Sequence, residues 1–407
     1  MSFDEGVTVR GVTGARVRLA DAGLGDRREA VTREIADRLF ASLTRRDQRK
    51  KGEQYLRGLL STPGRKSIRN VAAHVGGPAA EQSLHHFISS STWDWKPVRE
   101  ALALYLSRVD PPRAWVVHPM PIPKEGEHSV GVDQGYDPCL GAFRGQRALG
   151  VWHASETLST PVDWRLLLPG SWTRDEARRR RAEIPQDAGE ETLEECAATA
   201  VLDVLGSWRV PRRPVVLNSH VGHVARTVSR FTRAGVPVVA RVGATARLTV
   251  QDPAMPGHDE GPLAAQEIFA GVRRLRRGVE LVAPPTGADT RATLAAAVRV
   301  GVRGGAEDPG DLVLLGEWGG KRTSADALWV TNMTSVSAGA LIRMTKLGGR
   351  ACQDLSAAGE DVGLKDFEGR SFRGWHRHMT LASAAHAVAA LSGSGREAVA
   401  SYASRSA

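Results

Sequence analysis

The residues around His118 form the first stretch whose types suggest chemistry. Residues 114–117 are an apolar run typical of a short buried strand, and His118 and Pro119 follow it. A strand end that opens into a polar turn is a common position for a catalytic carboxylate. Here the position holds an imidazole, which serves as a ligand for zinc or as a general acid–base group.

Other histidines and a cysteine could perform the same kind of chemistry. His220, His223 and Cys352 are ligand types for Zn²⁺ or another borderline metal, and they could also form an acid–base or Cys–His nucleophilic site. Each also has a structural interpretation. His118 could end a strand, and Cys352 could fill a small buried space.

The elements that would position these residues follow a recognisable order. Strands are predicted at 114–118, 128–136 and 147–155, and a polar loop at 171–186. A helix at 191–208, a strand at 214–220, a helix at 224–235 and a strand at 236–242 follow. This βββαβαβ order predicts an α/β protein with an RNase H-like mixed sheet and helices on its faces.

The flanking segments differ in character. Val31, Ile35, Leu39 and Leu43 share one face of a predicted helix. Residues 244–309 have an irregular pattern, and strands at 311–318 and 327–333 and a helix at 335–358 come after them. The predicted division is a flexible arm at 1–25, a helical DNA-binding domain at 26–111, the first part of the core at 112–243, an insertion at 244–309, and the second part of the core with a C-terminal helix at 310–407.

The chain is strongly basic, which favours a polyanionic partner. Its 407 residues carry a formal net charge of +10, and nucleic acid is the commonest polyanion that a cytosolic protein meets. Residues 41–70 contain nine Arg or Lys and only two acids. This excess predicts a phosphate-binding surface, although a solvated helix face has the same composition.

Two further segments are candidates for contacts with DNA. Residues 67–90 have the pattern of two short helices around a Gly-Gly-Pro turn, which is typical either of a helix–turn–helix or of an ordinary helical hairpin. The second segment is the aromatic and basic approach to the last helix. The complete set of predicted nucleic-acid contacts is Arg45, Arg46, Arg49, Lys50, Lys51, Arg65, Lys66, Arg69, Gln82, His85, Arg178, Arg179, Trp375, His376 and Arg377.

The cysteines and the hydropathy point to the cytoplasm. Cys139, Cys196 and Cys352 are distant in the sequence and odd in number, which argues against a disulfide framework. The first residues lack the apolar segment of a signal peptide, and no run is long enough to cross a membrane. The expected partner is double-stranded DNA, with no membrane partner, and a homodimer is compatible with the sequence.

Several stretches together resemble insertion-sequence transposases of the DDE superfamily, in the group with an insertion between the second and third catalytic acids. The similar stretches run through most of the chain from about residue 45: YLRGLLS, TWDWKPVRE, PKEGEHSVGV, LLLPGSWTRDEARRRRAEIP, LWVTNM and GLKDFEGRSFRGWHRH. The resemblance implies phosphoryl transfer by two divalent ions held by three carboxylates.

The acids implied by this resemblance are missing from their expected positions. The first position falls on His118, the second on Ser219, and the third on Cys352 or Gln353. Asp354 and, less directly, Asp133 are the acids nearest to a substitute role. Because Mg²⁺ requires oxygen ligands, no cofactor is expected at these positions, and the transposase is predicted to be catalytically inactive.

Two functions fit a scaffold without its acids. The first is a DNA-binding regulator that no longer cuts. The second is a repurposed pocket in which the replacement side chains act on a small molecule, with Zn²⁺ held by His118, His220 and Cys352 or with acid–base or nucleophilic chemistry. The residues considered for this pocket are His118, Asp133, His220, His223, Cys352 and Asp354. A still-active transposase is the third, least supported interpretation.

Overall fold

The computed structural model describes residues 24–138, 140–281, 291–302, 308–319 and 325–393. Most of the arm predicted at 1–25 therefore lies outside the described residues. No helix among the described residues is both long enough and apolar enough to cross a membrane.

Five helices come first. They are α1 (Leu24–Phe40), α2 (Arg46–Ser61), α3 (Ile68–Val75), α4 (Pro78–His85) and α5 (Trp95–Val109), with a π-helical turn at His86–Ser90 after α4. The predicted apolar face of α1 is confirmed, since Val31, Ile35, Leu39 and Leu43 are all buried. The turn between α3 and α4 requires Gly77, whose φ of +67° favours glycine.

The central part of the chain forms the first half of the sheet and its helices. The elements are β1 (Ala114–Pro123), β2 (Asp133–Asp137), β3 (Gly141–Ala154), β4 (Ser159–Leu166), α6 (Gly170–Thr173), α7 (Glu176–Arg181), α8 (Leu193–Ser207), β5 (Val215–Val221), α9 (Val224–Arg233) and β6 (Val238–Val242). A capping box between Thr192 and Glu195 begins α8.

The remaining elements extend the same sheet and close the fold. They are β7 (Arg247–Val250), β8 (Pro262–Ala264), α10 (Ala265–Gly271), a 3₁₀ turn at Arg273–Leu275, β9 (Arg277–Leu281), β10 (Arg291–Gly301), β11 (Leu312–Trp318), β12 (Ala327–Thr331), α11 (Ala338–Ala358) and α12 (Phe372–Ser392).

The sheet has the strand order of an RNase H-like core. Strands β4, β3 and β1 pair antiparallel, and β1, β5 and β6 then pair parallel, in the spatial order β4-β3-β1-β5-β6. Val116 on β1 is the register partner of Val216 on β5. The predicted fold class is confirmed: the described chain is an α/β protein built on a large mixed sheet.

Three local predictions were wrong. The third antiparallel strand of the core is β4, which we did not predict, whereas the predicted strand at 128–136 is reduced to β2, which pairs with the outer half of β3. The loop predicted at 171–186 contains α6 and α7. The described parts of residues 244–309 are not irregular, because β10 and β7 continue the sheet beyond β11. Short strands of mixed composition carry too weak a period to be found by pattern alone.

The C-terminal helix α12 lies between the helical layer and the sheet. Nearly every residue from Gly374 to Ala389 is buried, and the helix packs against α1, α2, α5 and β4. Arg99 of α5 connects these layers, because its guanidinium donates to Asp163 Oδ1 on β4 at 2.6 Å and to Thr380 Oγ1 on α12 at 2.7 Å. The helical layer is thereby fixed to the sheet.

Candidate functional site

Strands β1 and β5 and helix α11 meet at the position where the resemblance places a catalytic centre. The parallel register pairs Val117 with Leu217, so the next residues, His118 and Asn218, are neighbours. Nδ2 of Asn218 lies 3.0 Å from Nδ1 of His118 and 3.1 Å from the carbonyl oxygen of Gly348 on α11. The three elements are therefore connected through one amide group.

The hydrogen bonds of Asn218 define the state of His118. A backbone carbonyl only accepts, so the Asn218 atom facing Gly348 must be the donating nitrogen. The same nitrogen donates its second hydrogen to Nδ1 of His118, which places the proton of the neutral imidazole on Nε2. Burial lowers the pKa of His118 to about 4, partly opposed by the charge of Asp137. The imidazole is therefore neutral at pH 7.

A β-bulge separates the two halves of β5 at this point. The pairing with β6 shifts register between Leu217 and His220, which leaves Asn218 and Ser219 outside the regular ladder. Bulges re-aim side chains and are frequent next to functional sites. Ser219, the predicted second position, is buried, and its Oγ has no hydrogen-bond partner among the described residues. Asn218 therefore takes the place beside His118 that we had assigned to Ser219.

The third predicted position, Cys352 or Gln353, lies about one turn after Gly348, the residue of α11 that contacts β5. Gly348 touches Asn218, and a Cβ added at Gly348 would lie 3.0 Å from Cγ of Asn218. Cys352 and Gln353 are exposed on the next turn. Asp354 is half-buried, and its carbonyl oxygen lies 3.5 Å from Nε2 of His386. A glycine backbone thus occupies the point on α11 closest to the strand ends.

The predicted pocket residues are distributed over separate places. His220 and His223 line a cavity of about 650 Å³ at the ends of β5 and β6, together with Arg226 and Arg247. Burial and the nearby Arg241 lower the pKa of His220. Neither His118 nor Cys352 lines this cavity. Asp133 begins β2, where its Oδ2 lies 3.4 Å from Oγ of Ser171.

The donor atoms at the strand ends do not fit a pair of magnesium ions. Such ions need carboxylate oxygens, whereas this junction presents a neutral imidazole, an amide that donates, and a backbone carbonyl that already accepts. Among the described residues, no group of three or more His, Cys, Asp or Glu is placed to hold a metal ion. The suggested zinc set of His118, His220 and Cys352 consequently has no support in the described part of the chain.

Many of the predicted nucleic-acid contacts are exposed. Exposed side chains on α2, α3, α4 and the segments before them are Arg45, Arg46, Arg49, Lys50, Arg65, Arg69, Gln82 and His85, and Lys51 and Arg178 are half-exposed. Some have protein partners: Arg45 pairs with Asp47, and Arg65 pairs with Glu368. Arg178 lies 5.4 Å from the ring centre of Trp172. These positions remain compatible with contacts to phosphates.

The aromatic and basic cluster at the start of α12 is internal, so the prediction that it contacts phosphates is wrong. Trp375, His376 and Arg377 are at most 5% exposed. Arg377 donates to the carbonyl oxygens of Trp93 and Ile88 at 3.1 Å. These side chains connect α12 to the turn before α5.

Two more predicted contacts have structural roles. Lys66 is 4% exposed and donates to the carbonyl oxygens of Thr62 and Gly64, and burial lowers its pKa. Arg179 donates to carbonyl oxygens of the loop that follows α7, including that of Pro185. Their charges are used to close loops, so neither is free to meet a phosphate.

Asn218 and Gly348 are the site residues that sequence reasoning missed. A signal for Asn218 was present, because residues 115–118 and 215–218 both consist of three apolar residues followed by a polar one. In neighbouring parallel strands this repeat brings the two polar residues together. No comparable signal marks Gly348, whose contact depends on how α11 crosses the sheet.

Comparisons with known proteins identify the family of this chain. A model of the family described as "DDE superfamily endonuclease" matches residues 38–304. A search of curated proteins found no match. Among solved structures, the chain is similar to the piggyBac transposase in a synaptic complex with hairpin DNA, at 10% identity and a TM-score of 0.42, over 90% of this chain and 73% of the other.

The large mixed sheet, with the strand order described above, is the RNase H-like fold that the sequence predicted. Because the family match covers well over half of the chain, the chain belongs to the DDE superfamily endonuclease family. The predicted membership of the DDE superfamily is thereby confirmed.

Proposed function

We propose that this protein is a DNA-binding regulator derived from a transposase that no longer cleaves DNA. One observation carries the proposal: Asn218, His118 and the backbone of Gly348 form a closed hydrogen-bonded set where a family member would need carboxylates. Two-metal phosphoryl transfer requires negative oxygen ligands to hold the ions and to place the nucleophile. A neutral imidazole and an amide supply neither.

The affinity for DNA is supported by the charge of the chain and by its family. A net charge of +10 favours polyanions, and members of the family are endonucleases. Helices α3 and α4, with Gln82 and His85 exposed on α4, are the candidates for reading bases. The loss of carboxylates from a surface that faces DNA also reduces the electrostatic repulsion between the protein and the DNA phosphates.

The decisive experiment combines a cleavage assay with a binding assay on the same preparation. Supercoiled plasmid incubated with the protein and either Mg²⁺ or Mn²⁺ should stay intact, while a labelled random-sequence duplex should bind with an affinity that falls steeply with salt. The control is Gln82→Ala, which removes no charge and should therefore leave the affinity for random duplex and its salt dependence nearly unchanged.

Two results would contradict the proposal. Metal-dependent nicking that is abolished by Asp354→Ala or Asp137→Ala would show that a working carboxylate set exists. No binding to random duplex at micromolar protein and low salt would remove DNA as the partner. The repurposed small-molecule pocket would then be the better interpretation, with the cavity beside His220 and His223 as its location.

A further inference from the structure

A group of exposed cationic side chains surrounds the start of α12. We call it the α12 rim, and it consists of Lys96, Arg180, Arg181 and Arg373, all of which are exposed. None of these side chains forms an ion pair or a hydrogen bond with a described residue. Many other exposed arginines are paired, as Arg33 is with Glu29 and Arg174 is with Glu190.

A backbone hydrogen bond joins two parts of the rim. The amide of Phe372 donates to the carbonyl oxygen of Ala182 at 2.7 Å. Arg181 precedes Ala182, and Arg373 follows Phe372. Since consecutive Cα atoms lie about 3.8 Å apart, the two arginines begin from neighbouring positions on α7 and α12.

Aromatic packing brings the third part of the rim to the same place. The ring of Trp95, at the start of α5, stacks on His376 of α12 with 4.8 Å between the ring centres. Lys96 is the next residue. Its positive charge contributes to lowering the pKa of His376, and the charge of Arg373 contributes to lowering that of Arg377. Both cations therefore lie close to the buried first turns of α12.

Three carboxylates are close to the rim in the sequence. Glu176 lies four residues before Arg180 on α7, Glu183 follows Arg181 by two residues, and Asp94 precedes Lys96 by two. Oδ1 of Asp94 accepts the backbone amide of Lys96 at 3.0 Å. Within the described part of the chain, none of the three forms an ion pair with a rim side chain.

We propose that the α12 rim binds the phosphate backbone of duplex DNA, an inference that rests on the proposed DNA-binding function. Duplex DNA carries one negative charge for about every 1.7 Å of helix axis, so it can meet several cations on one exposed surface. The buried cluster of Trp375, His376 and Arg377 supports the rim from inside and makes no contact with DNA itself.

The test compares two charge reversals of equal size. Arg181→Glu with Arg373→Glu reverses the rim, and Arg212→Glu with Arg213→Glu reverses two exposed arginines in the segment before β5. Binding of each full-length protein to a labelled random duplex of about three helical turns is measured by fluorescence anisotropy over a range of salt concentrations. The melting temperature of each variant verifies that it is folded.

The rim variant should bind at least about tenfold more weakly than wild type, and its log–log salt slope should fall by about two, because each phosphate that the variant no longer binds removes roughly 0.9. The control variant should retain the wild-type slope. Two results would overturn the rim as a DNA site. One is equal weakening of binding in both variants, and the other is that poly-glutamate competes as effectively as unlabelled duplex. Wild-type protein that fails to bind would instead refute the proposed function itself.

Discussion

The side-chain amide of Asn218 donates a hydrogen bond to Nδ1 of His118 across two parallel strands, at 3.0 Å. The bond holds the imidazole in one neutral tautomer, and its partner bond to Gly348 attaches the helix α11 to the same point. A network of this kind stabilises the junction of three elements.

Restoring acids at this junction should create a metal site. In His118→Asp with Asn218→Asp, two carboxylates would stand on adjacent strands, which lie about 4.8 Å apart. The repulsion should destabilise the variant in EDTA. Mn²⁺ at about 100 times its Kd should then restore about 2.7 kcal/mol. Thermal melts with and without Mn²⁺ measure this effect, and wild type is the control. If Mn²⁺ does not change the melting temperature of the variant, positions 118 and 218 do not face each other as described.

Gly348 should tolerate an added side chain less well than its neighbour Gly349. A Cβ at Gly348 would lie 3.0 Å from Asn218, but one at Gly349 would meet nothing within 4 Å. Gly348→Ala should cost about 1–3 kcal/mol of unfolding free energy through overpacking. Gly349→Ala should increase stability by roughly 0.5–1 kcal/mol, because alanine is the better helix former. Urea denaturation of both variants tests the difference, and equal effects would argue against the close approach of α11 to β5.

Stability should fall in mild acid. Burial lowers the pKa values of His118, His153, His378 and His386 to about 4, below the ordinary value of 6.5. Between those values the unfolded chain binds more protons than the folded one. The contribution of these histidines to the free energy of unfolding is therefore complete above about pH 6.5, and it decreases as the pH falls towards 4.

The contribution of a single histidine to this pH dependence of stability can be tested by substitution. His153 is fully buried on β3, edge-on to Trp115, so His153→Phe should reduce the slope of stability against pH by about 1.4 kcal/mol per pH unit between about 6.5 and 4. Urea titrations at a series of pH values measure the slope. The exposed His128→Phe is the matched control. An unchanged slope in His153→Phe would mean that this imidazole is not kept neutral by the fold.

The pair of Arg99 and Asp163 should show strong coupling. Arg99 is 1% exposed and bonds to Asp163 Oδ1 at 2.6 Å. Arg99→Met leaves the half-buried carboxylate of Asp163 without its cation and should cost up to about 3–5 kcal/mol. Adding Asp163→Leu should recover part of this stability. The exposed Arg33→Met, which removes a pair with Glu29, should cost less than about 1 kcal/mol. Strictly additive effects for Arg99 and Asp163 would contradict a direct interaction.

Much of the fold could be predicted from local pattern. The face of α1, the helices α8, α9 and α11, and the strands β1, β5, β6, β11 and β12 have clear periods or uniform apolar runs, and each was found within a few residues. Strand β4 was missed although the apolar Val162, Trp164 and Leu166 alternate with the polar Asp163 and Arg165, which is the pattern of a half-buried strand. Asp163 is tolerated there since Arg99 reaches it from another layer of the fold, a contact that no local pattern contains.

The candidate site was predicted only in outline. His118 was identified because it ends an apolar run, which is a property of the chain alone. Ser219 was chosen over Asn218 from the resemblance to the acid-bearing stretch of the family, whereas the parallel register that pairs Val117 with Leu217 places Asn218 beside His118. The register depends on two strands together, so neither strand alone can fix it.

The amino-acid order was sufficient for the α/β class and the positive charge, since these depend on composition and on short-range periodicity. It predicted that a strand ends at His118, but β1 continues to Pro123 and pairs His118 with Gly150 on β3, so His118 lies within the strand. Packing alone decided which cations reach solvent. Lys66 and Arg377 look like surface residues in the sequence, yet both are buried, and nearby carbonyl oxygens accept their hydrogen bonds. Arg181 and Arg373 are exposed, although the backbone next to each is joined by the hydrogen bond between Phe372 and Ala182. A long charged side chain can satisfy its donors with water or with backbone carbonyls, and the choice is made by the surrounding fold.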